Sequence, residues 1–180
     1  EDIRDHLFRA IYGSFSNAKL DPANDNRALA WVGYIGGKRE SRRLIGDHIL
    51  TEDDVRNPPG FADGVVHESR EIDIHYVKPG IYDFLSEADF TNIGQFEVPF
   101  RCLYSKDVDN LLMAGRCFSA THVGLGSPRV MRTCGQMGVA VGCGAYICSI
   151  YHTTPRGVYQ NHLQELLDVV EVGADGTMHL

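Results

Sequence analysis

The stretch that decides the fold runs from Asn110 to Ile147 and reads NLLMAGRCFSATHVGLGSPRVMRTCGQMGVAVGCGAYI. Its apolar start predicts a strand over 111–114 that ends at Gly115, with a polar loop after it. Ser127 and Pro128 then predict the start of a helix that runs to about residue 150. Serine favours the position that caps a helix, and proline favours the first helical position.

Four glycines lie inside this predicted helix, at positions 135, 138, 142 and 144. Each interior glycine costs about 1 kcal/mol relative to alanine, so four of them need a reason. We expect the helix to approach a strand or a flat ligand closely. The first turn of the helix also presents unpaired amides, which suit an anionic or electron-rich group. The residues alone leave two readings open, which are tight helix packing and a ligand site.

The composition is that of an ordinary globular protein. The chain has 180 residues, is 43% hydrophobic and 23% charged, and carries a formal net charge of -7. Proteins that bind nucleic acids or membrane surfaces need a basic stripe, so this balance predicts neither partner. The longest uncharged stretch, Thr133 to Pro155, is interrupted by Gln136 and by glycines. It therefore falls short of the roughly 20 apolar residues of a spanning helix.

Cysteine usage indicates no disulfide framework and no metal. The number of cysteines is odd, and all five lie in the C-terminal half, at Cys102, Cys117, Cys134, Cys143 and Cys148. No CxxC or CxxH spacing predicts zinc, so buried free thiols are the expectation. Cys134 lies near the predicted helix N-terminus, where a thiol of lowered pKa would be reactive, and a buried structural thiol is the alternative.

The rest of the chain predicts helices at its ends and strands in its middle. Apolar residues at helical spacing predict a helix over 1–12, and Thr51 with Asp54 three residues later predicts a capped helical turn. Further elements are predicted as strands over 28–35, 44–50, 64–76 and 96–104, and as a helix over 161–170. The organisation is therefore mixed, and the fold class of this chain by itself is α+β.

The chain holds no dinucleotide-binding fingerprint of its own. That fingerprint is G-x-G-x-x-G after a strand, which lets backbone amides reach a pyrophosphate. Gly124-x-Gly126 has Arg129 where the third glycine belongs, and Gly142-x-Gly144 has Ile147 there.

Several blocks of sequence carry a resemblance to a known family. They are GKRESRRLIGD at 37–47, IDIH at 72–75, VPFRCL at 98–103, and NLLMAGR, SATH and SPRVM within 110–131. In this order they resemble motifs of the FAD-dependent oxidoreductase family that includes xanthan-lyase-like flavoproteins. The resemblance covers most of residues 30–150 and identifies the chain as the C-terminal part of such a protein.

The resemblance implies a two-domain flavoprotein of the α/β class, with an FAD/NAD(P)-binding-like fold. Residues 1–104 would be a portion of the substrate domain, with mixed or antiparallel strands. Residues 105–180 would contribute the C-terminal strand, the glycine-rich helix and the terminal helix of the FAD domain. The N-terminal half with the ADP-binding glycine motif would be a missing partner, so this fragment alone would lack FAD and activity. The whole protein would transfer a hydride between an unidentified small organic substrate and flavin.

The resemblance also implies which residues contact the cofactor. The N-terminus of the long helix would face the pyrimidine end of the flavin, where the reduced cofactor carries negative charge. The implied cofactor-binding residues are Gly115, Arg116, Arg129, Val130, Met131, Arg132, Thr133 and Arg42. A basic surface formed by Arg39, Arg42 and Arg43, paired internally with Glu40 and Asp47, is the alternative for that cluster.

The catalytic candidates are His122, Asp73, His75 and Arg129. Asp73 and His75 share one face of a predicted strand, where they would orient a substrate or pass a proton. A solvated strand face is the alternative, and adding His67 gives a metal site as a weaker one. His122 lies in a loop and would face the flavin, the substrate or only solvent.

Two further functions stay open at this point. One is a non-catalytic ligand-binding or interaction module, and the other is a hydrolase built on Cys134 and His122. Residues 1–10 are charged and amphipathic, unlike a signal peptide, which slightly favours the cytoplasm and leaves export of the parent protein open. A homo-oligomer is equally open.

Overall fold

The computed structural model describes residues 1–37, 42–76 and 87–174. The chain forms two compact units. The described part of the first unit is 1–37, and that of the second is 42–76 together with 87–174. Arg39 and Glu40, from the basic cluster of the sequence analysis, lie outside the described residues.

The described part of the first unit contains a long helix, a 3-10 turn over Pro22–Asn24 and an extended segment. Helix α1 spans Asp2–Ala18, longer than the predicted 1–12, and none of its residues is buried. The strand predicted over 28–35 is wrong, because this segment pairs with no strand among the described residues. Trp31 is 82% exposed there and Ile35 is 84% exposed. Apolar content alone therefore did not make a strand.

Two small antiparallel sheets organise the second unit. Strand β1 (Gly64–Glu68) pairs with β4 (Phe96–Pro99), and β2 (Ile72–Tyr76) pairs with β3 (Glu87–Thr91). The predicted strand over 64–76 is thus two strands in different sheets, and β3 was not predicted. The predicted strand over 96–104 ends at β4, because a 3-10 turn follows over Phe100–Cys102.

Two other predicted strands, over 44–50 and 111–114, are wrong. The structure gives them only isolated bridges, from Leu50 to Ala120 and from Leu112 to Tyr104. The 44–50 segment still runs beside 117–121, since the Leu50 amide donates to the Ser119 carbonyl at 3.1 Å. At Gly46 a Cβ would collide with the Arg101 carbonyl oxygen, so the close passage of this segment requires glycine.

Helix α3 (Met131–Tyr151) is the centre of the second unit. Its inner face buries Met137, Ala140, Cys143 and Ile147, and it packs on β1 and on the two C-terminal helices. Within the described part of the chain it is the one helix long and apolar enough to cross a membrane, with a mean hydropathy of 1.2. The core helix of a soluble protein meets the same criterion of length and composition. In this helix, 33% of the apolar window is buried.

The helix begins at Met131, so the predicted start at Pro128 is wrong. Val130 occupies the N-cap position, and no side chain caps the helix. Ser127 is fully buried and donates instead to the Arg70 carbonyl at 2.6 Å. This long-range hydrogen bond holds residues 127–130 in a turn, so the helix begins three residues later than predicted.

Three short helices complete the fold. Helix α2 (Glu52–Arg56) has the predicted cap, a reciprocal capping box between Thr51 and Asp54. Helix α4 (Pro155–Asn161) was not predicted, although Thr154 caps it by accepting from the Gly157 amide at 3.1 Å. Helix α5 spans Leu163–Ala174, close to the predicted 161–170.

Candidate functional site

Strand β2 and the loop before α3 meet around a buried carboxylate, Asp73, which is 8% exposed. Arg70 donates to its Oδ2 at 3.1 Å, and an Arg129 guanidinium nitrogen lies 3.4 Å from the same oxygen. Arg129 also donates to the Asp73 carbonyl at 2.8 Å. The alternative of a solvated strand face is therefore wrong for Asp73. The predicted residues Asp73 and Arg129 form one cluster with Arg70, which the sequence analysis did not single out.

His75 completes this group, which we call the Asp73 cluster (Arg70, Asp73, His75 and Arg129). Its Nε2 lies 2.9 Å from Asp73 Oδ1, which confirms that the two side chains share one face of the strand. Asp73 Oδ1 is buried and accepts no hydrogen bond from the residues that the structure describes. The contact between His75 and Asp73 is an ion pair only when the imidazole is protonated. Arg70 and Arg129, which are always charged, therefore compensate the negative charge of Asp73.

The first turn of α3 lines a polar pocket of about 550 Å³, which we call the first-turn pocket. Helix residues Val130, Arg132 and Thr133 form one wall, and Arg70 connects the pocket to the Asp73 cluster. The remaining lining residues are His67, Glu68, Ser69, Gln95 and Gln136. The amides of residues 131–133 precede the first intrahelical bond, from Cys134 to Val130, so they retain partial positive charge.

Glu68 ties the turn between β1 and β2 to α3. Its Oε1 accepts from the amides of Ser69 and Arg70, each at 2.8 Å. Its Oε2 accepts a short hydrogen bond from the Thr133 hydroxyl. One carboxylate therefore fixes Arg70 relative to the first turn of the helix.

The other predicted cofactor residues lie on the surface around this region. Gly115 has a φ of +80° and open space where a Cβ would lie, and Arg116 is exposed. Met131 is 92% exposed, and Arg42 and His122 are exposed. Neither His122 nor Arg42 lines the first-turn pocket.

The helix glycines divide between two faces of α3. A Cβ on Gly144 would lie 2.8 Å from Phe100 Cζ, so this glycine permits the close packing that the sequence predicts. Gly135, Gly138 and Gly142 have nothing within 4 Å of a Cβ. The packing explanation thus holds for one of the four, and three glycines lie on a face that is open in this structure.

A second buried ion pair was missed from the sequence. Asp63, whose side chain is 1% exposed, accepts from Arg101 Nε and from its terminal nitrogen, both at 2.9 Å. It also accepts from the Arg101 amide at 3.1 Å. The Arg101 guanidinium lies 5.8 Å from the ring centre of Phe61 and 5.2 Å from that of Tyr159. This residue of the PFRCL block therefore has a structural role, and no local pattern marks Asp63 as its partner.

Asp47, from the RRLIGD block, also has a structural role. Arg156 donates to its two carboxylate oxygens at 2.7 and 2.8 Å, and the Tyr104 hydroxyl donates at 2.9 Å. The hydrogen bond from Arg156 is the largest influence and, with that from Tyr104, holds the pKa of Asp47 below its usual value, although burial opposes the shift.

Burial raises the pKa of four thiols, those of Cys102, Cys134, Cys143 and Cys148. Burial raises the pKa of Cys134, and the nearby charge of Arg116 opposes this only in part. The predicted lowering of the Cys134 pKa is therefore wrong. Cys102 and Cys143 are buried as expected, Cys134 and Cys148 are half-buried, and Cys117 is exposed. Within residues 1–37, 42–76 and 87–174, no three histidine, cysteine, aspartate or glutamate side chains form a cluster that would hold a metal ion.

Comparison with known proteins establishes the family. The family model described as FAD dependent oxidoreductase matches residues 4–167, which is most of the chain. The chain belongs to this family of flavin-dependent redox proteins. No curated protein and no solved structure matches the chain.

Proposed function

We propose that this chain is the C-terminal, flavin-contacting and substrate-binding portion of an oxidoreductase that transfers a hydride between a small organic molecule and FAD. The observation that carries the proposal is the first-turn pocket, which places uncapped helix amides, Arg132 and Arg70 around one polar space. Membership of the family supplies the cofactor class.

The residues around α3 fit the flavin end of FAD. Anionic and electron-rich groups bind at helix N-termini, and no side chain occupies that position on α3. Gly115 has open space beside it, so a cofactor could approach its backbone closely. Arg116 is near enough to Cys134, in the first turn of α3, to interact with it electrostatically. The ADP end has no counterpart, because the sequence contains no G-x-G-x-x-G. A separate N-terminal half of the protein would bind the adenosine diphosphate.

The bound flavin would supply a two-electron acceptor. The chain would bind the flavin, orient the substrate and adjust the reduction potential of the cofactor. The first-turn amides and Arg132 would favour the anionic reduced state through their positive charge. Arg129, held by the Asp73 carbonyl and by its carboxylate, would be a rigid positive group at the start of this turn. Arg70, fixed through Glu68 and Asp73, would orient a polar substrate from the opposite wall.

The outward face of α3 would receive the N-terminal half. It carries three glycines with open space above them and the exposed apolar side chains of Val139, Tyr146 and Ile150. Glycines let another backbone or a flat ring approach closely, and exposed apolar side chains favour burial. The proposed division into a substrate portion, 1–104, and an FAD portion, 105–180, keeps this face within the FAD portion.

Flavin absorbance tests the proposal. FAD is added to this chain and to the full-length protein, and the flavin bands are followed after removal of free cofactor. We expect retention by the full-length protein and weak or no retention by the chain alone. If the full-length protein retains no flavin, the proposal is wrong.

An Arg132→Gln variant of the full-length protein sharpens this test. We expect it to keep the fold and to lower the reduction potential of the bound flavin, since a positive charge beside the reduced state is lost. Arg56→Gln, on the exposed surface of α2, is the matched control and should leave the potential unchanged. Equal potentials in both variants would remove Arg132 from the cofactor site.

A hydrophobic dye separates the proposal from a stand-alone binding module. We expect the isolated chain to bind the dye at the outward face of α3, and the full-length protein to bind much less. Equal, weak binding by both would favour the module.

A further inference from the structure

Three pockets of the second unit meet at one histidine. His67 lines the first-turn pocket of about 550 Å³ and a neighbouring groove of about 740 Å³ between β1, α3 and α5. It also lines a third pocket of about 270 Å³ beside Phe61. The groove has apolar walls, including Val65, Val139 and Leu167, whereas the first-turn pocket is polar. A molecule with a polar and an apolar end would therefore have its middle at His67.

His67 is paired with a carboxylate on the neighbouring strand. It lies opposite Glu97 in the register of β1 and β4, and its Nδ1 is 3.4 Å from Glu97 Oε1. Directly opposite residues of an antiparallel pair keep their side chains on the same face of the sheet. The Glu97 side chain also covers Gly64, where a Cβ would collide with its carboxylate. The backbone of β1 thus leaves space for Glu97 beside the imidazole.

The pairing with Glu97 gives the two ring nitrogens of His67 different roles, one as a proton donor and the other as a proton acceptor. A carboxylate beside Nδ1 favours the tautomer that carries its proton there, which leaves the Nε2 lone pair available. The His67 side chain is 79% exposed and lines the three pockets, so the imidazole is accessible to a molecule bound there. Hydrogen bonds of catalytic pairs are often long before a substrate binds and shorten in its presence.

We infer that His67 is the proton acceptor of the reaction and that the substrate is oxidised at a carbon bearing a hydroxyl group. The inference rests on the proposed function. The substrate O–H bond breaks as its proton forms a bond to His67 Nε2, and Glu97 stabilises the resulting imidazolium. The C–H bond breaks with its electron pair, and this hydride reduces a flavin, so the products are a carbonyl compound and a reduced flavin.

The geometry favours His67 over the histidines that the sequence singled out. His75 lies against Asp73, and neither it nor His122 lines any of these three pockets. The first-turn pocket brings His67 together with Val130, Arg132 and Thr133, where the flavin is proposed to lie. Proton and hydride would therefore leave one substrate from the same pocket.

The first test needs no cofactor and no substrate. Side-chain 15N NMR of the chain at about pH 8.5, where an ordinary histidine is neutral, reports which nitrogen of each imidazole carries the proton. We expect the Nδ1–H tautomer for His67 and a change to Nε2–H in Glu97→Ala. His152, exposed at the end of α3, should have the same spectrum in both. An Nε2–H tautomer for His67 in the unaltered chain, or no change in the variant, would overturn the inference.

The second test uses the full-length protein with its flavin. Anaerobic loss of flavin absorbance is followed with glycerol, D-glucose, D-gluconate, L-lactate and benzyl alcohol as probes. We expect at least one probe to reduce the flavin, and His67→Asn to slow that reduction by about 10²- to 10⁴-fold, the usual contribution of a general base. His152→Asn is the matched control, because asparagine tolerates the left-handed backbone at that position, and should leave the rate unchanged.

The outcomes separate this inference from the proposed function. A full-length protein that binds no flavin removes the proposed function itself. Flavin binding with no reduction by any probe overturns oxidation at a hydroxyl-bearing carbon. Reduction at the same rate in His67→Asn, with flavin absorbance unchanged, overturns the role of His67 alone.

Discussion

Two regions of the second unit use the same residue types in opposite ways. In the closed region, Asp63 accepts three hydrogen bonds from Arg101, and its side chain is 1% exposed. In the open region, Asp73 has two arginines near one carboxylate oxygen, and the other oxygen accepts no hydrogen bond from any described residue. The open region adjoins the first-turn pocket through Arg70, whereas the guanidinium of Arg101 lies among aromatic rings.

This difference separates the motif blocks into those whose charged residues hold the fold and those whose charged residues lie near the first-turn pocket. Arg101 and Asp47 come from two of the blocks that mark the family, and both are saturated by partners inside the protein. Asp73 and Arg129 come from two other blocks and lie together in the Asp73 cluster, which adjoins the first-turn pocket through Arg70. A motif residue thus indicates the family, and its hydrogen bonds indicate whether it holds the fold or remains available for a ligand.

The largest expected effect is in the closed region. Asp63→Asn should lower the free energy of unfolding by about 3 kcal/mol, because removal of one partner leaves a desolvated guanidinium without compensation. Urea denaturation followed by circular dichroism measures it. Glu52→Gln, which breaks the exposed pair with Arg56, is the control and should change stability by less than about 0.5 kcal/mol. Equal effects of the two changes would contradict the closed character of the Asp63 pair.

The matching change in the open region is Asp73→Asn. We expect a smaller loss, about 1–2 kcal/mol, because this side chain accepts a single hydrogen bond from Arg70 and asparagine can keep its shape. The same denaturation experiment measures it. A loss as large as that of Asp63→Asn would mean that the Asp73 cluster holds the fold.

Two glycines of α3 allow the packed inner face and the open outward face of the same helix to be compared. Gly144→Ala should destabilise by about 1–3 kcal/mol, because its Cβ would lie 2.8 Å from the Phe100 ring. Gly138→Ala should stabilise the isolated chain by about 0.5–1 kcal/mol, because alanine favours a helix and the space is open. Thermal unfolding of both variants measures the effects. Destabilisation by Gly138→Ala would show that the outward face is packed in solution.

The smallest effect concerns pH. The pKa of Asp47 is lowered by Arg156, so its contribution to stability is present above the unfolded pKa near 3.8 and is lost as the pH falls through the lower folded value. Asp47→Asn should therefore be less stable than the unaltered chain at pH 7, and the two should converge below about pH 4. Urea midpoints across this range check the prediction. A difference that persists in acid would assign the effect to packing rather than charge.

Local patterns were sufficient wherever the deciding contacts are close in sequence. The Thr51–Asp54 capping box, the alternation in β2 and the amphipathic terminal helix were predicted because each depends on residues two to four apart. The motif blocks also gave the family, because residue identity and order are properties of the sequence itself.

The extended segments were predicted less well, for a physical reason. Apolar segments become strands only when a partner backbone lies beside them. Among the described residues, 28–35, 44–50 and 111–114 have no continuous partner. The start of α3 moved for a similar reason, since Ser127 bonds to Arg70 instead of capping the helix.

The sequence by itself determined the family and the glycine-rich helix, and it supplied the residues that we propose for a flavin site. Only the tertiary structure decided which charges are compensated, because Asp63 meets Arg101 across 38 positions and Arg129 meets Asp73 across 56. It also brought His67 to the junction of three pockets. Such pairings depend on how separate elements pack, and no local periodicity encodes that.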